Sequence, residues 1–207
     1  MGNEQRKIYL PSPIKEGEVS LVESIASRRS VRRFASEPVT QAQLSQLLWA
    51  AQGITDTSRG SRTVPSAGAT YPLEVFVVCG RDGVEEVDDG IYNYNIDDHS
   101  LTLHSAGDVR AELAAASLGQ GVVHRAPIDI VICKADAQTL NRYGTRGDRY
   151  VHIEVGHVGQ NVYLQATALG LATVAVGAFH DEQVREALRL EEQYMPLYIM
   201  PVGKPAC

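Results

Sequence analysis

Cysteine is scarce in this sequence, and the three that occur, Cys79, Cys133 and Cys207, lie far apart. A disulfide framework needs an even set of cysteines, and a structural zinc site needs closely spaced ligands. We therefore expect free thiols, two of them buried in strands, and no metal site. Free thiols are typical of proteins in the reducing cytoplasm.

Long apolar runs are also missing. No stretch approaches the ~20 apolar residues that span a bilayer, and the N-terminal stretch MGNEQRKIYLPSPIKEGEVS has no apolar core of a signal peptide. Positive charge is in deficit, with a formal net charge of −6. That balance argues against a protein that attracts nucleic-acid phosphates over a broad face. These absences predict a cytoplasmic protein with neither a membrane nor a nucleic acid as its partner.

The composition that remains is that of an ordinary folded domain. Of 207 residues, 44% are hydrophobic and 21% are charged, which provides enough apolar material for one sizeable core. Residues 1–19, which are polar and contain two prolines, are interpreted as an N-terminal arm. Residues 20–207 are interpreted as a single domain.

Local patterns predict a mixture of helices and strands. Helix-start signals occur at Ser20, three residues before Glu23, and at Thr40, three residues before Gln43. The longest helical pattern covers 151–169 and is the expected central packing element. Further patterns predict a loop at 53–72, helices at 107–118 and from 181, and strands at 73–78, 90–94, 101–104, 128–133, 173–176 and 198–202. Because strands and helices do not alternate regularly, we expect the α+β class.

Four arginines lie within six residues of this acidic chain, in the run Arg28-Arg29-Ser30-Val31-Arg32-Arg33-Phe34, which we call the arginine segment. A guanidinium donates two hydrogen bonds to phosphate oxygens and stays charged at any working pH. Alternate side chains of an extended segment share a face, so Arg28, Ser30 and Arg32 are expected to point the same way. Two interpretations stay open at this point, a phosphate cradle and a solvated basic turn.

Two stretches of small residues are further candidates for ligand contact. They are Val64-Pro65-Ser66-Ala67-Gly68-Ala69-Thr70-Tyr71-Pro72 and Ala175-Val176-Gly177-Ala178-Phe179. Small side chains let the backbone approach a flat ligand closely, although a flexible loop and a glycine-containing strand end explain them equally well. Neither G-x-G-x-x-G nor a Walker lysine is present, so a Rossmann or P-loop nucleotide site is not supported.

Taken in this order, the motifs resemble the FMN-dependent nitroreductase superfamily over about residues 24–204. SIASRRSVRRF is similar to its N-terminal phosphate motif, and GHVGQNVYLQATALGLATVAVGAF is similar to its central helix and flavin-facing strand. PSAGATYPLEVFVV and RYGTRGDRYVHIEVGHVGQN are more similar to the SagB-type branch, which includes azoline oxidases that make thiazoles and oxazoles in peptides. The resemblance implies a nitroreductase-like mixed sheet flanked by helices, with a long central helix at the interface of a homodimer.

The resemblance also implies which residues bind FMN. In the family, the FMN phosphate and ribityl chain are held at positions that correspond to Arg28, Arg29, Ser30 and Arg32. Lys204 corresponds to a later basic position near the phosphate. The backbone that faces flavin N5 is matched by Gly177 and Ala178. The loop that the partner subunit offers to the flavin is matched by Pro65, Ser66, Ala67 and Gly68.

The implied function is an FMN-dependent oxidoreductase that passes hydride or electrons through flavin N5 in a ping-pong cycle. Its substrate would be a small molecule or a peptide, with NAD(P)H as a candidate electron donor. Two alternatives stay open: an azoline oxidase of peptide natural-product maturation, and a flavin-binding module without turnover.

The pair Arg142-Tyr143 bears on that choice. Azoline oxidases of the SagB-type branch typically have a Lys-Tyr pair here, so Tyr143 keeps the pattern and Arg142 departs from it. A lysine in a dry pocket can lose its proton and act as a base, whereas an arginine stays protonated. We therefore expect weak or absent azoline oxidation. Tyr143 is the candidate acid or base, and Arg142 either steers an anionic substrate or makes a surface ion pair.

Polar residues of the predicted long helix receive simpler interpretations. His152 and His157 are five residues apart, which is poor geometry for a shared metal ion. Glu154 is interpreted as a buried hydrogen-bonding residue or an interface residue, and Tyr163 as a packing residue.

Overall fold

The structure is a computed structural model and describes residues 6–206. Nine strands occur in this part of the chain: β1 (Lys7–Tyr9), β2 (Ile54–Asp56), β3 (Ser61–Arg62), β4 (Leu73–Cys79), β5 (Gly90–Asn95), β6 (Ser100–Ala106), β7 (Ile128–Lys134), β8 (Ala172–Thr173) and β9 (Met195–Gly203). Seven of them form one sheet in the order β1-β6-β5-β4-β7-β9-β8, and β2 and β3 form a separate hairpin.

Seven α-helices accompany the strands in the described residues: α1 (Leu21–Ser27), α2 (Gln41–Gln52), α3 (Arg110–Ala116), α4 (Gly121–Arg125), α5 (Ala137–Tyr143), α6 (Arg146–Ala168) and α7 (Asp181–Ala187). Helices α2 and α6 share one apolar core with the sheet. Helices α3, α4 and α7 share a second core with it. The sheet is therefore covered on both faces, and the predicted α+β class is confirmed.

The central strands supply both cores because their side chains alternate between the two faces. In β4, Val75 and Val77 belong to the core beneath α2 and α6, whereas Phe76 and Val78 belong to the core beneath α3, α4 and α7. The antiparallel neighbour β7 divides in the same way. The strand predicted at 128–133 is nearly all apolar, which is typical of a strand buried on both faces, and the structure buries both of its faces.

The resemblance implies a mixed sheet, with parallel as well as antiparallel pairing. All pairs within the seven-stranded sheet run antiparallel. The parallel pairing at its edge is an isolated bridge between Ser30 and Thr173. That bridge places the arginine segment alongside β8.

The two helix-start signals are both used. Thr40 Oγ1 accepts a hydrogen bond from the Gln43 amide at 3.1 Å, and Gln43 Oε1 accepts one from the Thr40 amide at 3.0 Å. Ser20 Oγ accepts a bond from the Glu23 amide at 3.1 Å. Because such bonds satisfy amides that the first turn leaves free, α1 and α2 begin one residue after their predicted caps.

The long helix begins at Arg146, five residues before the predicted start, and α5 in front of it was not predicted. Gly147 explains the error, because a glycine in a polar stretch usually weakens a helix. A Cβ on Gly147 would lie 3.0 Å from the carbonyl oxygen of Thr139 and 3.2 Å from Leu140. The glycine therefore allows α5 to pack closely against α6.

Two further predictions need correction. The predicted loop at 53–72 contains the β2–β3 hairpin. The predicted strand at 173–176 is shorter, since β8 ends at Thr173 and Val176 makes only an isolated bridge with Ile199. The amide of Ala175 donates to the hydroxyl of Tyr163 at 2.8 Å, so a side chain replaces the strand partner there.

Two of the three cysteines lie within residues 6–206, in β4 and β7. Cys79 and Cys133 are buried free thiols, and burial raises the pKa of the Cys79 thiol to about 12. Cys207 lies outside the described residues. No helix within residues 6–206 has the length and apolar character needed to cross a membrane.

Candidate functional site

The arginine segment runs along the edge of the sheet. The Val31 amide donates to the carbonyl oxygen of Thr173 at 3.0 Å. Four residues later, the Ala35 amide donates to the carbonyl oxygen of Lys204 at 2.9 Å. Lys204 directly follows the last residue of β9. The bond from Ala35 therefore brings the arginine segment next to Lys204, which is distant in sequence. The two basic features identified in the sequence share one edge of the fold.

Tyr163 of α6 connects this segment to the rest of the edge. The Arg28 guanidinium carbon lies 5.0 Å from the centroid of the Tyr163 ring, within the range of a cation–π contact. The Tyr163 hydroxyl lies 2.9 Å from Ser30 Oγ and accepts the Ala175 amide hydrogen bond. Its place in the long helical pattern predicts only a packing role for Tyr163. The sequence signal for a further role was that the long helix precedes the small-residue stretch at 175–179 by only a few residues.

The other arginines differ from Arg28. Arg29 donates from Nη1 to the carbonyl oxygens of Ala26 at 3.0 Å and of Arg28 at 2.8 Å. These carbonyls end α1, where a cation is favourable. Arg32 is exposed to solvent. The structure therefore assigns Arg29 a contact with the backbone, while Arg28 and Ser30 both meet Tyr163.

Gly177 and Ala178 are exposed at the end of the short segment that follows β8. The ring of Tyr198 lies beneath Gly177, and a Cβ on Gly177 would be 3.2 Å from it. The carbonyl oxygen of Ala178 accepts a hydrogen bond from Gln120 Nε2 at 2.8 Å. The Tyr198 ring and the Gln120 side chain thus support this backbone, and its other side is exposed to solvent.

The loop from Pro65 to Pro72 has an unusual backbone. Gly68, Ala69 and Tyr71 have φ angles of 60°, 54° and 46°, in the left-handed region that only glycine adopts without cost. Ser66 Oγ accepts a hydrogen bond from the Tyr71 amide at 2.9 Å. The hydrogen bond between Ser66 and Tyr71 supports this shape of the loop from within.

Arg142 and Tyr143 lie against this loop. Arg142 Nη1 donates to the carbonyl oxygen of Gly68 at 2.9 Å. A Cβ on Gly68 would lie 2.3 Å from the Tyr143 hydroxyl, so that hydroxyl sits directly over the glycine. The ring of Tyr143 meets that of Tyr150 edge-on, with centroids 5.1 Å apart. The structure therefore brings together two candidate motifs that are separate in sequence.

A buried polar group lies behind the same loop. Glu154 is 2% exposed and its Oε1 has no hydrogen-bond partner. Burial raises the pKa of Glu154, while Ser66, Gln52 and the Arg62 charge act in the opposite direction. The carboxyl borders a cavity of about 240 Å³ that Ser66 and His157 also line. Arg62 donates to Gln52 Oε1 at 3.0 Å and does not neutralise Glu154 by an ion pair.

The two groups of site residues lie beside different parts of α6: the loop lies beside Ile153 and His157, whereas Arg28 and Ser30 meet Tyr163. Among residues 6–206, no side-chain hydrogen bond or ion pair joins the Arg28–Tyr163–Gly177 group to the Pro65–Pro72 loop. Several large apolar side chains nearby are exposed: Leu21 at 64%, Val22 at 77% and Ile25 at 56% on α1, and Ile153 at 50% on α6. The three residues of α1 lie within one and a half helical turns, and Ile153 lies beside the Pro65–Ala67 loop. Exposed apolar side chains grouped as on α1 are typical of a surface that another molecule covers.

A separate cavity lies away from these groups. It measures about 760 Å³ and lies between the N-terminal segment, α2 and the end of α6. Gln46 borders it and binds the backbone of Ile14 through two hydrogen bonds, of 2.8 and 3.0 Å. No predicted site residue lines this cavity.

Known proteins resemble this chain over nearly its whole length. The model of the nitroreductase family matches residues 25–204. A protein of Methanocaldococcus jannaschii named as a nitroreductase is 50% identical over 187 residues, covering 90% of this chain and 92% of that protein. The crystal structure of a nitroreductase homologue from Ralstonia eutropha has a TM-score of 0.85 and 29% identity, covering 100% of this chain and 93% of that one.

One relative carries a more specific name. The microcin B17-processing protein of Escherichia coli is 27% identical over 164 residues, which are 77% of this chain and 60% of that protein. This chain therefore matches less than two thirds of that relative's length. The similarity supports the SagB-type branch that the sequence motifs indicated.

Proposed function

The chain belongs to the nitroreductase family, and on that premise we propose that it is an FMN-dependent oxidoreductase with a ping-pong cycle. One observation carries the proposal: the arginine segment, Lys204 and the exposed Gly177 backbone converge on one edge of the sheet. A basic patch next to an open glycine backbone suits a ligand that has an anionic end and a flat ring.

The residues at this edge fit FMN in charge and shape. Arg28, Arg32 and Lys204 carry the positive charge that a phosphate needs, and Ser30 adds a neutral donor. At Gly177, a Cβ would lie 3.2 Å from the Tyr198 ring, so glycine lets the backbone pack closely on that ring, and the backbone itself is exposed on its other side. The uncrowded backbone then suits close contact with a ring.

When bound, FMN supplies the hydride and electron chemistry, and the protein binds, orients and tunes it. In this proposal Arg28, Ser30, Arg32 and Lys204 hold the phosphate end. The backbone of Gly177 and Ala178 would face N5, where a backbone N–H donor would stabilise the reduced flavin. The bond from Gln120 to the Ala178 carbonyl oxygen fixes that backbone before a ligand arrives.

We extend the proposal to a homodimer in which the Pro65–Gly68 loop completes the partner's site. The exposed apolar residues of α1 and Ile153 of α6 support a covered surface. Burial of a large apolar surface between subunits would make folding and dimerisation inseparable.

The proposed substrate is a small molecule or a peptide, with NAD(P)H as electron donor. Similarity to the microcin B17-processing protein supports the peptide. A second candidate function, azoline oxidation, is favoured by one contact: the Tyr143 hydroxyl lies over Gly68 of the loop proposed to reach the flavin. An acid or base at that place would be available to a bound substrate.

The test begins with the purified protein, which we expect to be yellow and to release FMN on denaturation. Anaerobic NAD(P)H should bleach the flavin band, and an added acceptor should restore it. Flavin that binds but does not respond to either addition would instead support a flavin-binding module without turnover. A protein that binds no flavin, even after incubation with excess FMN, would contradict the proposed function.

A further inference from the structure

Tyr163 is the point at which the arginine segment, α6 and the segment after β8 meet. Resting on the proposed function, we propose that Tyr163 is a positioning residue that sets the preference of this protein for a flavin carrying a phosphate over one without it. It would not touch the phosphate itself. It would act by holding Arg28 and Ser30 ready for a phosphate monoester.

The ring of Tyr163 acts on Arg28. The guanidinium carbon lies 5.0 Å from the ring centroid, and an arginine over an aromatic face is attracted to it. A free arginine side chain would lose rotamer freedom when it binds an anion. Stacking on the Tyr163 ring restricts the Arg28 side chain before a ligand binds, so less conformational entropy is lost on binding.

The hydroxyl of Tyr163 acts on Ser30 by fixing the direction of a proton. The Ala175 amide can only donate, so the Tyr163 oxygen accepts that bond at 2.8 Å. Ser30 Oγ, at 2.9 Å, is the other partner of this hydroxyl and can accept its single proton. With Tyr163 as the donor, Ser30 keeps its own proton. Since Ser30 is exposed, that proton is available to a phosphate oxygen.

These contacts predict an effect on selectivity as well as on affinity. Riboflavin shares the ring of FMN but lacks the phosphate, so it cannot use Arg28 or Ser30 in this way. A change at Tyr163 that only loosened the fold would weaken both flavins alike. A change that releases Arg28 and Ser30 would weaken FMN more than riboflavin.

The experiment measures dissociation constants of FMN and riboflavin with flavin-free protein and compares their ratio. Tyr163→Phe keeps the ring and removes the hydroxyl, and we expect the FMN preference to fall about fivefold. Tyr163→Leu removes both contacts, and a fall of about tenfold or more is expected. Tyr194→Phe is the matched control, because Tyr194 packs on Phe76 away from the site. It should keep the ratio.

A coupling test separates positioning from a general effect. In an Arg28→Ala, Ser30→Ala background, Tyr163→Leu should leave the ratio unchanged, because the residues it acts through are gone. An equal fall in that background would overturn the inference, as would an unchanged ratio in Tyr163→Phe and Tyr163→Leu. If Tyr163→Leu does not fold, Tyr163→Phe decides alone. Wild-type protein that binds neither flavin would refute the proposed function and this inference together, a result distinct from the others.

Discussion

Arg142 donates a hydrogen bond from Nη1 to the carbonyl oxygen of Gly68 at 2.9 Å, across a sequence separation of 74 residues. The bond connects the end of α5 to the loop proposed to reach the partner's flavin. It also gives the arginine a role that the sequence did not indicate, since neither steering of an anion nor a surface ion pair was needed to explain it. Tyr143, its neighbour, lies over the same glycine.

This contact sharpens the prediction about azoline oxidation. An arginine bound to a carbonyl stays protonated and cannot accept a proton. Arg142 is exposed in the single chain. We expect weak or no oxidation of a thiazoline-containing peptide by the native protein and a gain of oxidation in Arg142→Lys, because a lysine desolvated there by the proposed partner subunit and the substrate could act as a base. The measurement is the loss of two hydrogens from the peptide by mass spectrometry. Arg142→Gln is the control, since it removes the charge without supplying a base. Clear turnover by the native protein would refute this prediction.

The proposed phosphate contacts can be tested within the arginine segment itself. Arg28→Ala with Arg32→Ala should strip FMN from the protein, because each charge-assisted hydrogen bond lost costs about 1.5–3 kcal/mol. Arg29→Ala is the matched control, since Arg29 already donates to the carbonyls of Ala26 and Arg28. We expect it to retain most of the FMN. Flavin absorbance and protein concentration give the number of FMN molecules per chain. Full FMN occupancy in the double variant would refute the assignment of these arginines to the phosphate.

Completion of the site by a partner subunit predicts complementation in mixed dimers. One parent carries Arg28→Ala and Arg32→Ala, and the other carries Pro65→Asp in the exposed loop. Each parent alone should bind little FMN. In a mixed dimer, one site receives both defects and the other receives none, so one site per dimer should be restored.

A site built within a single chain gives a different result. Each chain would then retain its own defect, and the mixed dimer would bind no more FMN than the parents. Two affinity tags allow the mixed dimer to be isolated before its flavin is counted. Sedimentation of the native protein at micromolar concentration provides a second check, and a flavin-loaded monomer would exclude the proposed dimer.

Asp129 of β7 predicts an unusual dependence of stability on pH. It is 0% exposed, and both carboxyl oxygens lack partners. Burial raises its pKa well above the usual value, while the charge of Arg110 opposes the shift. Arg110 is engaged by Asp108 at 2.6 Å and by the Ala126 carbonyl oxygen at 2.7 Å. The folded protein therefore holds the Asp129 proton more tightly than the unfolded chain.

The sign of the effect follows from that difference. The contribution of Asp129 to stability is fully present below its unfolded pKa and is lost as pH rises toward its folded pKa. Relative to Asp129→Asn, the native free energy of unfolding should fall by about 1.4 kcal/mol for each pH unit within that window. Urea unfolding between about pH 4 and pH 8 measures this. Asp97→Asn, on an exposed turn, is the control, and parallel curves for native protein and Asp129→Asn would contradict the prediction.

Several parts of the fold could be predicted because their signals are local. The caps at Ser20 and Thr40 depend on side chains three residues from their targets. The runs that became β4 and β7 are apolar at almost every position, and such runs need burial on both faces. The arginine segment was recognised in the same way, since a cluster of cations in an acidic chain is visible without any structure.

The sequence by itself thus determined the α+β class, the main strands and helices, and which segments carry the candidate chemistry. Only the tertiary structure decided how those segments meet. Tyr163 and Ser30 are 133 residues apart, and their contact depends on α6 lying against the sheet edge. The close packing at Gly147 and the bond between Arg142 and Gly68 depend in the same way on distant neighbours. Periodicity and capping report on residues a few positions apart, so contacts of this kind leave no local pattern in the chain.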